Sequence, residues 1–196
     1  MKTIAVYCGS SPGHNPLYGD AAKELGRVLV RRGLTLVYGG GRLGLMGQLA
    51  DEVLSQQGRV IGVIPEGLKE KEVFHGNLTE LRVVKTMHER KAVMASLSDA
   101  FIAMPGGFGT LDEMMEMITW TQLGLQAKPL GFLNAAGFYD LLFQFLRSAQ
   151  TEGFINTDVI RSLALEEDPE KLLDGLSNPI LPSAPWPRIP GEERRA

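Results

Sequence analysis

Short apolar runs alternate along the chain with stretches of helical spacing. Ile4-Ala5-Val6-Tyr7-Cys8 is apolar throughout and ends in Gly9-Ser10-Ser11-Pro12-Gly13, which reads as a buried strand entering a turn. From about Pro16 to Arg32, Leu17, Ala21, Leu25, Val28 and Leu29 fall at helical spacing, and Gly33 fits a left-handed stop. Leu34–Tyr38 is a second strand that runs into Gly39-Gly40-Gly41, and Leu45 to Gln57 is a helix stopped by Gly58. Arg59–Ile64 is a third strand ended by Pro65, and residues 66–80 are polar and irregular. Leu81–Val84, Ala100–Met104 and Pro129–Leu133 read as further strands. Helices are predicted at Met87–Leu97, about Leu111–Leu123 and Gly137–Thr151. A last short strand at Ser162–Leu165 precedes a helix at Pro169–Leu176.

Strands that are apolar on both faces and separated by helices predict an α/β fold, a parallel sheet covered on both sides. Its crossovers should be right-handed. No internal repeat is present. A chain of 196 residues suits one domain, expected over residues 1–178. Residues 179–196 carry closely spaced prolines and the charged end Gly-Glu-Glu-Arg-Arg-Ala, so a proline-rich extended tail is expected there.

Composition adds one anomaly: there are 23 glycines where average usage predicts about 14. A net charge of −3 argues against a surface built to grip nucleic acid or an anionic membrane. The lone Cys8 excludes an intramolecular disulfide framework and fits a reducing, cytoplasmic setting. No segment approaches the ~18 consecutive apolar residues of a membrane span.

Position explains the glycine surplus. Nine glycines gather at strand ends or just beyond: Gly9; Gly39, Gly40 and Gly41 with Gly44 and Gly47; and Gly106, Gly107 and Gly109. In open parallel sheets ligands bind beyond the carboxyl ends of the strands. Gly39-Gly40-Gly41-Arg42-Leu43-Gly44 matches the dinucleotide fingerprint, but on the second strand and without a timely ribose-binding acid. Pro105-Gly106-Gly107-Phe108-Gly109-Thr110-Leu111-Asp112-Glu113 is more specific. Its glycines admit a ligand to the backbone, and free N–H groups at a helix start attract phosphate. Thr110-x-x-Glu113 reads equally as a capping box. Glu113, Glu116, Met117 and Trp120 share one helix face, where carboxylates need solvent, a partner or a function. Met87-His88-Glu89-Arg90-Lys91 opens another helix with two cations that oppose its macrodipole. They imply either an anionic partner or a solvated basic turn. His14, His75 and His88 show no metal spacing, and no metal site is expected. Cys8 reads as a buried strand residue.

Met87–Lys91 followed by Pro105–Glu113 resembles the LONELY GUY family of cytokinin-activating phosphoribohydrolases. Cys8–Ser11, Tyr38–Gly41, Gly44–Gly47 and Ile118–Gly124 match it as well, and the likeness runs through residues 2–150. The resemblance implies a Rossmann-like three-layer fold and a homodimer or larger oligomer. It also implies hydrolysis of the N-glycosidic bond of a nucleoside 5'-monophosphate, with no cofactor. It places the catalytic pair on Arg90 and Glu113. Substrate contacts fall on Glu72, Lys91, Gly107, Phe108, Gly109, Thr110, Leu111, Asp112 and Thr119. Asp112 stands where many members have glutamate. Ser10, Gly40, Gly41, Met46 and Met87 are expected to line the nucleoside pocket. The family is often labelled lysine decarboxylase, yet no lysine here has a recognisable pyridoxal-phosphate context.

The chemistry is coherent. Loss of a base from C1' builds positive charge on the ribose, which a carboxylate stabilises while it orients water. Arg90, a poor proton donor, suits negative charge on the leaving base or support of Glu113. Two rivals use the same fold: a non-catalytic nucleotide or cofactor carrier of the molybdenum-cofactor type, and a dinucleotide oxidoreductase.

Overall fold

The computed structural model describes residues 1–69 and 74–182. Seven parallel strands form one sheet: β1 (Thr3–Tyr7), β2 (Thr35–Tyr38), β3 (Val60–Pro65), β4 (Glu80–Val84), β5 (Ala100–Ala103), β6 (Leu130–Leu133) and β7 (Leu163–Glu166). Their spatial order is β4-β3-β2-β1-β5-β6-β7. The chain therefore winds outward from β1 to β4, crosses back, and winds outward again from β5. This reversal makes the β1/β5 boundary the topological switch point, where the strand ends splay and leave a crevice.

Strand alternation sends successive side chains to opposite faces. Ile4 and Val6 join the core under helices α1 (Leu17–Arg31), α2 (Gly44–Ser55) and α8 (Pro169–Ser177). Ala5 and Tyr7 join the core on the other face, under α4 (Met87–Leu97), α5 (Phe108–Gln122) and α6 (Asp140–Thr151). The three-layer sandwich follows from that division. The short α3 (Glu66–Lys69) and α7 (Thr157–Arg161) complete the helices among the described residues.

Several sequence-based boundaries shift, each for a local reason. Helix α5 begins at Phe108, three residues before the predicted start, because Gly107 takes the cap position. Thr110 therefore lies inside the first turn, and the capping box with Glu113 does not form. A side-chain cap forms instead on α4: Thr86 accepts from the Glu89 N–H at 3.1 Å, and the Glu89 carboxylate reaches back one residue beyond the cap to accept from the Lys85 N–H at 2.7 Å. After α2 the left-handed residue is Gln57, not Gly58. Gly58 is small because Val30 and Val53 leave a Cβ no room. Before α6, Ala135–Gly137 turns as a 3-10 segment, so the helix starts at Asp140. Helix α7 was not predicted, although Asn156 caps it through the Asp158 N–H. Strand β4 is an edge strand with exposed positions, unlike the central strands. Of the predicted tail, residues 183–196 lie outside the described residues.

Candidate active site

The carboxyl ends of β1, β2 and β5 meet at the switch point. The Gly9 N–H donates to the Pro105 carbonyl at 3.0 Å, joining the loop after β1 to the loop after β5. A cavity of about 240 Å³ opens there, walled by these loops and by the first turns of α4 and α5.

Arg90 and Glu113 face each other in this cavity, Nη2 to Oε1 at 3.5 Å, each only 8% exposed as a residue. The capped α4 delivers Arg90 from one side and the glycine-started α5 delivers Glu113 from the other. Burial pushes the Glu113 carboxyl above its ordinary range, and the Arg90 charge pulls it partly back. The guanidinium also reaches the Met87 sulfur at 3.8 Å.

Lys91, one residue on, does not line the cavity. It is buried and spans to Asp112 at 3.2 Å and to Glu116 at 3.0 Å, both on α5. The reading of Met87–Lys91 as a solvated basic turn is therefore replaced by two buried cations, each held by carboxylates of α5.

Ser10, Met46, Met87, Arg90, Gly107, Phe108, Gly109, Thr110, Asp112 and Glu113 all border the one cavity. Phe108 stands at its mouth, 94% exposed. Gly40, Gly41, Leu111 and Thr119 lie off it. Gly40 and Gly41 pack against the segment at Phe74–His75. Leu111 packs into the core, and the Thr119 hydroxyl donates to the Met115 carbonyl. Glu72 lies outside the described residues. Val6, Tyr7, Cys8, Gly9 and Gly39 also border the cavity. The sequence signal for them was their place at the ends of β1 and β2.

The two glycine clusters do different work. The α2 start is already occupied: the Gly9 carbonyl accepts from the Leu45 and Met46 N–H groups at 3.0 and 3.3 Å. Gly44 and Gly47 are small because a Cβ would strike the Ser10–Ser11 backbone and the Arg42 carbonyl. Packing therefore accounts for both glycines, and the fingerprint reading of this cluster loses its phosphate site. At α5 the reverse holds. A Cβ on Gly107 or Gly109 would meet no protein atom within 4 Å, so packing does not explain those glycines. The first N–H groups of α5 belong to residues that border the cavity, and they have no helical partner.

Strand order, switch point and site together define a doubly wound, Rossmann-type α/β protein whose pocket pairs a carboxylate with a guanidinium. Known proteins sharpen that class. The family profile described as "Possible lysine decarboxylase" matches residues 46–176. The rice protein named cytokinin riboside 5'-monophosphate phosphoribohydrolase is 53% identical over 82% of this chain and 66% of its own. A second rice protein, a probable enzyme of the same name, is 54% identical over 79% and 68%. An Arabidopsis thaliana protein of that name is 52% identical over 80% and 73%. The chain belongs to this phosphoribohydrolase family, and it spans about two thirds of the length of the rice relatives.

Among solved structures, the molybdenum cofactor binding protein of Rippkaea orientalis superposes with a TM-score of 0.68 at 22% identity, covering 90% of this chain and 96% of that one. The molybdenum cofactor carrier protein of Chlamydomonas reinhardtii gives 0.67 at 19%, with the same coverage. At such identities the likeness shows the fold. Among the described residues, no helix is long and apolar enough to cross a membrane.

Proposed function

We propose that this protein hydrolyses the N-glycosidic bond of a nucleoside 5'-monophosphate, AMP or its N6-prenylated form, to free base and ribose 5-phosphate. The observation that carries the reading is the buried Arg90–Glu113 pair, 3.5 Å apart, beside glycines that packing does not require. The names of the relatives support it, as does a cavity of about 240 Å³, which suits one sugar phosphate better than a dinucleotide.

In this reading the N–H groups of Gly107, Gly109 and Thr110 hold the 5'-phosphate at the α5 start. As the C1'–N bond breaks, positive charge grows on the ribose, and the Glu113 carboxylate stabilises it. Glu113 also orients the water that attacks C1'. One water proton ends on the departing base. Arg90 favours the ionised form of Glu113 against the burial that raises its carboxyl, and stabilises negative charge on that base. Ser10, Met46 and Met87 border the nucleoside. Lys91 and Asp112 serve through the α4–α5 contact.

We extend the reading to residues 1–178 as one nucleotide-binding domain, to a homodimer or larger assembly, and to a cytoplasmic setting. Exposed Leu141, Phe145 and Phe154 support the assembly. The test is incubation with AMP and N6-prenylated AMP, with chromatography of the products. Release of base and ribose 5-phosphate by the wild type, abolished in Glu113→Gln, is expected. Absence of release from both nucleotides would sink the proposal.

A further inference from the structure

The segment just after the undescribed stretch 70–73 is fastened to the first glycine cluster by a buried histidine. His75 is 8% exposed, whereas its partner Asp51, on α2, has a side chain 73% exposed. The His75 Nε2 and Asp51 Oδ1 are 2.9 Å apart. The Asn77 N–H donates to His75 Nδ1 at 3.3 Å. A backbone N–H can only donate, so Nδ1 carries no proton and Nε2–H donates to Asp51. Both ring nitrogens are thus committed, and the ring is fixed in one tautomer and one orientation.

The backbone beside this ring grips the glycine loop. The His75 N–H donates to the Gly40 carbonyl at 3.0 Å, and Phe74 forms an antiparallel bridge with Gly41. Beneath them lies Gly62 of β3, where a Cβ would press on the Gly40 Cα at 3.0 Å and on Leu78. The neighbouring Gly39 is packed against Arg90: a Cβ there would overlap the guanidinium. The contacts therefore run without a break from Asp51 through His75, Gly40 and Gly39 to Arg90. None of Asp51, His75 or Gly40 borders the cavity.

We propose that His75 and Asp51 form a latch that sets the Gly39–Gly41 wall against Arg90, making both positioning residues for the reaction. The inference rests on the hydrolase reading above. The latch acts on the placement of the guanidinium, so it governs the rate of the chemical step more than substrate capture. An exposed carboxylate with only a structural role has little to lose, because solvent-exposed ion pairs contribute little to stability. A strong effect of Asp51 on turnover is therefore diagnostic.

The experiment compares wild type with Asp51→Ala, Asp51→Asn, His75→Ala and the double variant Asp51→Ala/His75→Ala. Steady-state kinetics on AMP, thermal melting and hydrogen exchange of residues 39–41 are measured for each. Asp51→Ala should lower kcat about ten-fold, with KM and Tm nearly unchanged. Asp51→Asn, which still accepts from Nε2–H, should restore most of the rate. The double variant should lose no more than His75→Ala alone, since the two residues act as one unit. Asp51→Ala with wild-type kcat, or additive losses in the double variant, would overturn the latch. If wild type releases no base, the hydrolase reading fails. The latch is then judged by exchange alone: Asp51→Ala and His75→Ala must speed exchange of residues 39–41 and Asp51→Asn must not, and unchanged exchange refutes it.

Discussion

Gly39 has a side that the protein needs empty. A methyl group there would overlap the Arg90 guanidinium and crowd the Met46 sulfur at 3.2 Å. The obstacle is the far end of a flexible side chain, so Gly39→Ala should fold with little change in Tm. Its kcat for AMP should fall at least about ten-fold, because Arg90 is displaced. Retention of wild-type kcat would show that Arg90 placement is unimportant. At Glu113 the titration is informative. Burial raises its carboxyl above the ordinary 4.5, and Arg90 opposes the rise. The proposed reaction needs the ionised form, so activity should grow with pH through an acid limb centred above that value. Arg90→Gln removes the opposing charge and should move the limb to still higher pH, as well as lowering the rate. A pH–rate profile of each enzyme checks both directions. Arg90 and Glu113 were legible in the sequence through their motifs. That Lys91 grips α5 instead of bordering the cavity was not, since only the helix orientation decides it.

Two helices meet to bring the pair together, and each is specified by different chemistry. Helix α4 starts on the Thr86 hydroxyl, which accepts from the Glu89 N–H, while the Glu89 carboxylate accepts from the Lys85 N–H. Thr86→Ala should cost about 1 kcal/mol, which is a fall of roughly 2–4 °C in Tm for a protein of this size. Calorimetry reads it directly. Helix α5 instead starts on glycine, with no side-chain cap. Its first N–H groups are thereby left without a side-chain partner. The sequence offered Thr110–Glu113 as a box and left Thr86–Glu89 unnoticed, because a motif alone does not tell where a helix begins. Between the helices, Lys91 ties Asp112 and Glu116 together, one turn apart on α5. Lys91→Met should destabilise the protein by about 2 kcal/mol, since it leaves two like charges one turn apart without their cation. Chemical denaturation would measure the loss, and an unchanged midpoint would show that the tie carries no stability.

At the scale of the whole molecule, the winding of the sheet makes the site. Gly9, Gly39 and Gly107 lie far apart in sequence, and the order β4-β3-β2-β1-β5-β6-β7 brings their strand ends together. The outer surface carries its own expectation. Leu141 and Phe145 are 79% and 65% exposed, one turn apart on α6. Light scattering should return at least twice the 21.4 kDa chain mass, and Phe145→Asp should lower it without loss of fold. A monomeric wild type would refute the assembly. The alternation of buried strands and amphipathic helices followed from the sequence by itself, because side-chain periodicity is a local property. So did the glycine surplus at strand ends and the motifs that carry Arg90 and Glu113. Only the tertiary structure separated glycines kept small by packing, Gly44 and Gly47, from Gly107 and Gly109, which face open space. It alone turned the Met87–Lys91 cations inward and tied His75 to Asp51. Those distinctions depend on which backbone passes close to which, and contacts between distant segments leave no periodic trace in the order of residues.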